Sequence, residues 1–113
     1  MKKLHDPCLY EQRQIRIVEE IVSAVRTALS SSNVSDEALK AITEDIAFSI
    51  GAILDGSAYM PTQDGSLAPI LGFAEGRSRD RLLIPREGGS SIHGLVPSCI
   101  EAAFSSQQKQ DSK

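Results

Sequence analysis

The chain has no tryptophan, only 4% aromatic residues and just two cysteines among 113 residues. No glycine precedes Gly51, and Pro7 is the only proline before Pro61. Each shortage excludes something. With so few rings, the core has to be aliphatic, built from Ile, Leu, Val and Ala. Cys8 and Cys99 stand near opposite ends of the chain in no metal-ligand or redox spacing, so no zinc site or dithiol motif is expected. No stretch approaches the ~20 apolar residues that a membrane-spanning helix needs. The basic start, Met1-Lys2-Lys3-Leu4, leads into His5, Asp6 and Pro7 rather than an apolar segment, so no signal peptide is expected. The expected compartment is the cytoplasm, with both thiols reduced.

A basic excess is also missing. The net charge is −3 and the pI about 5.3. Displacing counterions from phosphates takes a basic face, so the sequence predicts neither nucleic-acid binding nor a membrane partner. The charge is unevenly spread, however. Residues 35–71 hold Asp36, Glu37, Glu44, Asp45, Asp55 and Asp64 against Lys40 alone, whereas residues 72–94 hold Arg77, Arg79, Arg81 and Arg86 against Glu75, Asp80 and Glu87. The expectation is that the two segments pair with each other on folding.

What is present falls into two halves of different grammar. Glycine and proline punctuate the backbone, so their concentration after Gly51 predicts long helices first and frequent turns afterwards. A first helix is predicted from about Leu9 to about Ser30, with Ile15, Val18, Ile21, Val22, Val25, Ala28 and Leu29 in steps of three and four. The second starts at Ser35, a good N-cap followed by Asp36 and Glu37 at the positive end of the helix dipole. It runs through Leu39, Ile42, Ile46, Ile50, Ile53 and Leu54 and stops at Asp55-Gly56, where Gly56 takes a left-handed backbone. This helix is apolar on most sides and is expected to be the central element. Gly51 inside it costs about 1 kcal/mol against alanine, which points to close approach of another backbone there. Phe48 interrupts its polar stripe and is expected to be covered by the following loop.

Residues 56–69 read as a loop. Two strands follow, Ile70–Ala74 and Arg81–Ile84, bracketed by Pro69 and Pro85. Two strands alone are marginal in water, so residues 91–96 are a candidate third strand. Ser98 and Glu101 match a capping box, opening a short helix that ends near Phe104. The fold class is therefore α+β: an antiparallel helical hairpin packed on a small antiparallel β-hairpin, with a short C-terminal helix. Residues 1–104 form one domain, and 105–113, composed of Ser, Gln, Lys and Asp, form a disordered polar tail.

Two segments carry groups that bind anions. Arg77, Arg79 and Arg81 alternate, so an extended backbone would set all three on one side as a comb for phosphate or carboxylate. Arg86, Gly88, Gly89, Ser90 and His93 form the second, since paired glycines let backbone N–H groups converge on an anion. The plainer readings are a solvated hairpin tip and a flexible connection. Cys99 at the start of a helix would have its thiolate favoured by the dipole, and His93 stands six positions before it, but nothing in the sequence enforces their proximity. No cofactor fingerprint and no metal-ligand spacing is present. The sequence thus predicts a small binding or interaction protein, homo-oligomeric, with a protein or an anionic small molecule as its partner. Its alternative is an anionic small-molecule binder through residues 77–93. An enzyme built on His93 with Cys99 or Ser90 ranks last.

Overall fold

The computed structural model describes residues 1–86 and 91–111, with side chains to residue 105. Its elements in chain order are β1 (Lys2–Leu4), α1 (Pro7–Leu29), α2 (Asp36–Leu54), β2 (Pro61–Thr62), β3 (Gly65–Ser66), β4 (Phe73–Glu75), β5 (Arg81–Leu83) and α3 (Val96–Asp111), the last entered through a 3-10 turn at His93–Leu95. The architecture is α+β, as the two-part composition predicts.

Local chemistry sets the helix ends. The Asp6 carboxylate accepts from the Leu9 N–H at 3.1 Å, and Pro7 sits in the first turn, where a missing N–H costs nothing. Helix α1 therefore begins two residues before the expected start. Ser35 Oγ accepts from the Ala38 N–H at 3.1 Å and opens α2 where expected. Gly56 takes φ +79° just past its end. Helix α2 packs on both α1 and α3, so it is central. Helix α3 runs alongside α1 in the same direction. It lies antiparallel to α2, with His93 at the Asp55 end and Glu101 beside Lys40 near the other, and the Ala103 carbonyl accepts from Arg26 of α1 at 3.3 Å. Val18 and Val22 of α1, Ala47 of α2, and Ile92, Val96, Ile100 and Phe104 form one buried apolar cluster between the three helices, aliphatic but for Phe104.

That cluster explains the main departure from expectation. Residues 91–96 do not form a strand. Ile92, Val96, Ile100 and Phe104 recur every four residues and are all buried, so helical periodicity governs the segment. The capping box does not form either. Ser98 lies inside the helix with Oγ donating to the Leu95 carbonyl at 3.2 Å, while Glu101 reaches Lys40 of α2 at 2.8 Å.

The third strand comes from the other end of the chain. Strand β1 pairs parallel with β5, Lys2 opposite Arg81 and Leu4 opposite Leu83, and β4 pairs antiparallel on the other side of β5, Phe73 opposite Leu83. Leu83 at the centre of this β1-β5-β4 sheet is fully buried. The N-terminal half of α1 holds the sheet. Tyr10 OH donates to the Leu71 carbonyl at 2.6 Å, its ring meets Phe73 edge-on at 5.5 Å, and Arg13 pairs with Glu75. Within the expected 56–69 loop, β2 and β3 form a minimal antiparallel ribbon.

Candidate functional site

The hairpin between β4 and β5 is not an extended comb. Gly76 (φ +92°) and Arg79 (φ +55°) both take left-handed backbone, and the Arg79 N–H donates to the Gly76 carbonyl at 3.1 Å. The chain thus turns between Arg77 and Arg79, and Arg81 alone lies in a strand. Arg77, Arg79, Arg81 and Arg86 are exposed. Among the described residues none of the four makes an ion pair, so the expected pairing of the acidic and arginine-rich segments does not occur through them. Gly88, Gly89 and Ser90 lie outside the described residues.

His93 is drawn away from this hairpin to the end of α2. Its backbone N–H donates to Asp55 Oδ2 at 3.1 Å, and its ring Nδ1 lies 2.5 Å from the same oxygen. Asp55 Oδ1 accepts from the Ser57 N–H at 3.0 Å. The Asp55 side chain is fully buried, which by itself pushes its pKa up. The hydrogen bonds from Ser57 and His93 outweigh that burial, and the net shift is downward. Gly51 is the contact that makes this possible. A methyl group there would lie 3.0 Å from both Cα and N of His93, so the helix carries glycine where the His93 backbone crosses it. Phe48 meets the His93 ring edge-on at 5.1 Å. That ring, rather than the following loop, is its aromatic contact, and Phe48 stays 45% exposed.

Ser57, His93 and Asp55 have the composition of a hydrolytic triad without its geometry. In a relay the carboxylate and the nucleophile occupy opposite ring nitrogens. Here Ser57 Oγ, at 3.3 Å, and Asp55 share Nδ1. The group is a clamp that joins the end of α2 to the entrance of α3.

Cys99 also differs from expectation. It lies inside α3, partly buried against the core, and burial followed by the nearby Glu19 charge raises its pKa. The thiolate is disfavoured, not favoured. Among the described residues no group of three or more His, Cys, Asp or Glu side chains could hold a metal ion, and no helix is long and apolar enough to cross a membrane.

One concavity among the described residues is a feature that sequence reasoning did not single out. A groove of about 790 Å³ runs between α1 and α3, with Val22, Leu95, Cys99 and Ala103 along it. Glu19 and Arg26 line its α1 side with the small Ser23 between them. Arg26 also lies over the Phe104 ring, 4.4 Å from its centroid. The spacing of Glu19 and Arg26 was the available signal: seven residues are two helical turns, so both sit on one face. A second apolar surface lies on α2, where Ile46 and Ile53 remain 38% and 47% exposed. Helix α2 is thus central but not enclosed. Tyr59, Leu67 and Ile70 of the following segment are more exposed still.

Comparisons with family models, curated proteins and solved structures find no match to this chain.

Proposed function

We propose that the protein acts by binding, as a homo-oligomer in the cytoplasm, rather than by catalysis. The observation that carries this reading is the α1–α3 groove, an apolar concavity of about 790 Å³ between two helices. Cofactor and substrate sites pair such a lining with converging polar groups of perturbed pKa. Here the Asp55 cluster, with its lowered pKa, shares no residue with the groove lining, and the one groove thiol, Cys99, has its pKa raised by burial and by Glu19, which disfavours the nucleophilic thiolate. The exposed Ile46 and Ile53 of α2 support the same reading, since apolar helix faces are what subunit contacts cover. Two free thiols and the absence of any basic excess agree with a cytoplasmic protein that does not bind nucleic acid.

Sedimentation equilibrium across the micromolar range tests the proposal. The expected result is a mass that rises with concentration to an integral multiple of the 12.2 kDa chain. A strict monomer at high micromolar concentration refutes it.

A further inference from the structure

The groove face carries a charge pattern that is complementary to itself. Glu19 and Arg26 stand at equal distances on either side of the midpoint between Val22 and Ser23. Laid antiparallel across a two-fold axis at that midpoint, α1 of one copy sets Glu19 opposite Arg26 of the other, and Arg26 opposite Glu19. The same register sets Ile15 against Ser30. An isologous contact requires this: each residue meets its complement and the complement meets it. Ser23 at the axis is exposed and small enough for two helices to approach closely.

From this pattern we infer that the groove between α1 and α3 receives α1 of a second copy of this chain, in an antiparallel two-fold dimer closed by two Glu19–Arg26 ion pairs. The inference rests on the homo-oligomer reading and names its interface. Each α1 then lies against α1 and α3 of the other copy. Because α3 runs parallel to α1, the four helices form an up-down layer of the kind that packs at about 20° in four-helix bundles. Val22, Leu95, Cys99 and Ala103 form the apolar floor, and the ion pairs at its edges fix register and direction. Arg26 keeps its contact with Phe104 in this arrangement, since a guanidinium has donors to spare after one reaches the Ala103 carbonyl.

Charge reversal and mixing test the interface in the full chain, with sedimentation as the readout. Glu19→Arg places two arginine–arginine pairs across the axis, and Arg26→Glu places two glutamate–glutamate pairs. Each variant alone is expected to dimerise about tenfold more weakly, the effect of about 1.4 kcal/mol. Mixing the two variants restores both attractive pairs, so a heterodimer is expected to form with wild-type strength and to weaken as salt rises. Circular dichroism of each variant reports its folding. Because Arg26 also packs on Phe104, Ser23→Arg serves as an independent block at the axis and is expected to give a folded monomer. A wild-type chain that sediments as a monomer overturns both this inference and the homo-oligomer reading. A wild-type oligomer whose mass survives Glu19→Arg and Ser23→Arg overturns this interface alone. Folded single variants that fail to form a heterodimer on mixing also overturn it. So does a groove that proves to be filled by a helix of a different protein while the chain stays monomeric.

Discussion

Replacing Gly51 by alanine opposes two effects whose balance can be worked out. In a helix interior the change is worth about 1 kcal/mol in alanine's favour, and a buried methyl adds roughly 0.8 kcal/mol. Against this, the new Cβ would lie 3.0 Å from Cα and N of His93 and 3.4 Å from its Cβ. Carbon contacts are optimal at about 3.5–4.0 Å, so α2 and the His93 backbone must separate by roughly half an ångström. Neither side gives easily. The His93 N–H is tied to Asp55, and its neighbour Ile92 is fully buried in the core. Separation would lengthen the first and open a void around the second. Overpacking of this kind costs about 1–3 kcal/mol, and the stretched clamp and the loosened packing add to it. The expected outcome is a net loss of about 1–2 kcal/mol, a fall of roughly 4–8 °C in Tm for a domain of this size. Urea denaturation followed by circular dichroism measures it. The loss should shrink in an Asp55→Ala background, where the His93 segment is released to move. Gly51→Ala that proves more stable than wild type by its helix propensity would refute the close-approach argument.

Three other outcomes follow from buried polar groups. Because the Asp55 carboxyl has a lowered pKa, the unfolded chain binds more protons, so this group's stabilisation is present above the ordinary carboxylate pKa and is lost as pH falls through the folded value; Asp55→Asn should flatten the acid limb of stability against pH, and superimposable limbs would contradict the clamp. The Thr43 hydroxyl is fully buried with no hydrogen-bond partner among the described residues, so Thr43→Val should raise stability by about 1 kcal/mol in urea melts, and a destabilised variant would show that the hydroxyl is satisfied. Thiol titration should resolve two phases, an exposed Cys8 that reacts fast and a Cys99 slowed by burial and by Glu19, and a single rate would overturn that assignment.

The parts of the fold legible in the sequence are those set by local chemistry. Ser35 caps α2, Gly56 ends it in left-handed backbone, and Gly51 marks a close backbone crossing, because each requirement is met within a turn of its own residue. The third strand was not legible for the opposite reason. Lys2–Leu4 carries no strand signal of its own, and its partner lies at Arg81–Leu83. Residues 91–96 look extended if Gly94 and Pro97 are weighed first. The four-residue recurrence of Ile92, Val96, Ile100 and Phe104 was the better guide, since it counts what the core receives. Proline in a first turn breaks nothing. At the site level, His93 stood out in the sequence, but its partner did not. Asp55 read as a helix stop, and only the tertiary structure shows that the same carboxylate holds the entrance of α3.

The parallel pairing of β1 with β5 imposes an order on synthesis. Lys2–Leu4 leaves the ribosome before the helices, yet its strand partner β5 is made after both α1 and α2. At about 5–20 residues per second, Leu4 emerges several seconds before Leu83 exists to bury beside it. During that interval α1 and α2 can pack on each other through local contacts, while Val18, Val22 and Ala47 still lack the Ile92–Phe104 side of their cluster and β1 has no strand beside it. Strand β1 is thus made before both long helices yet placed after them. The closure of this small sheet around Leu83 reports that the strands' share of the chain has arrived.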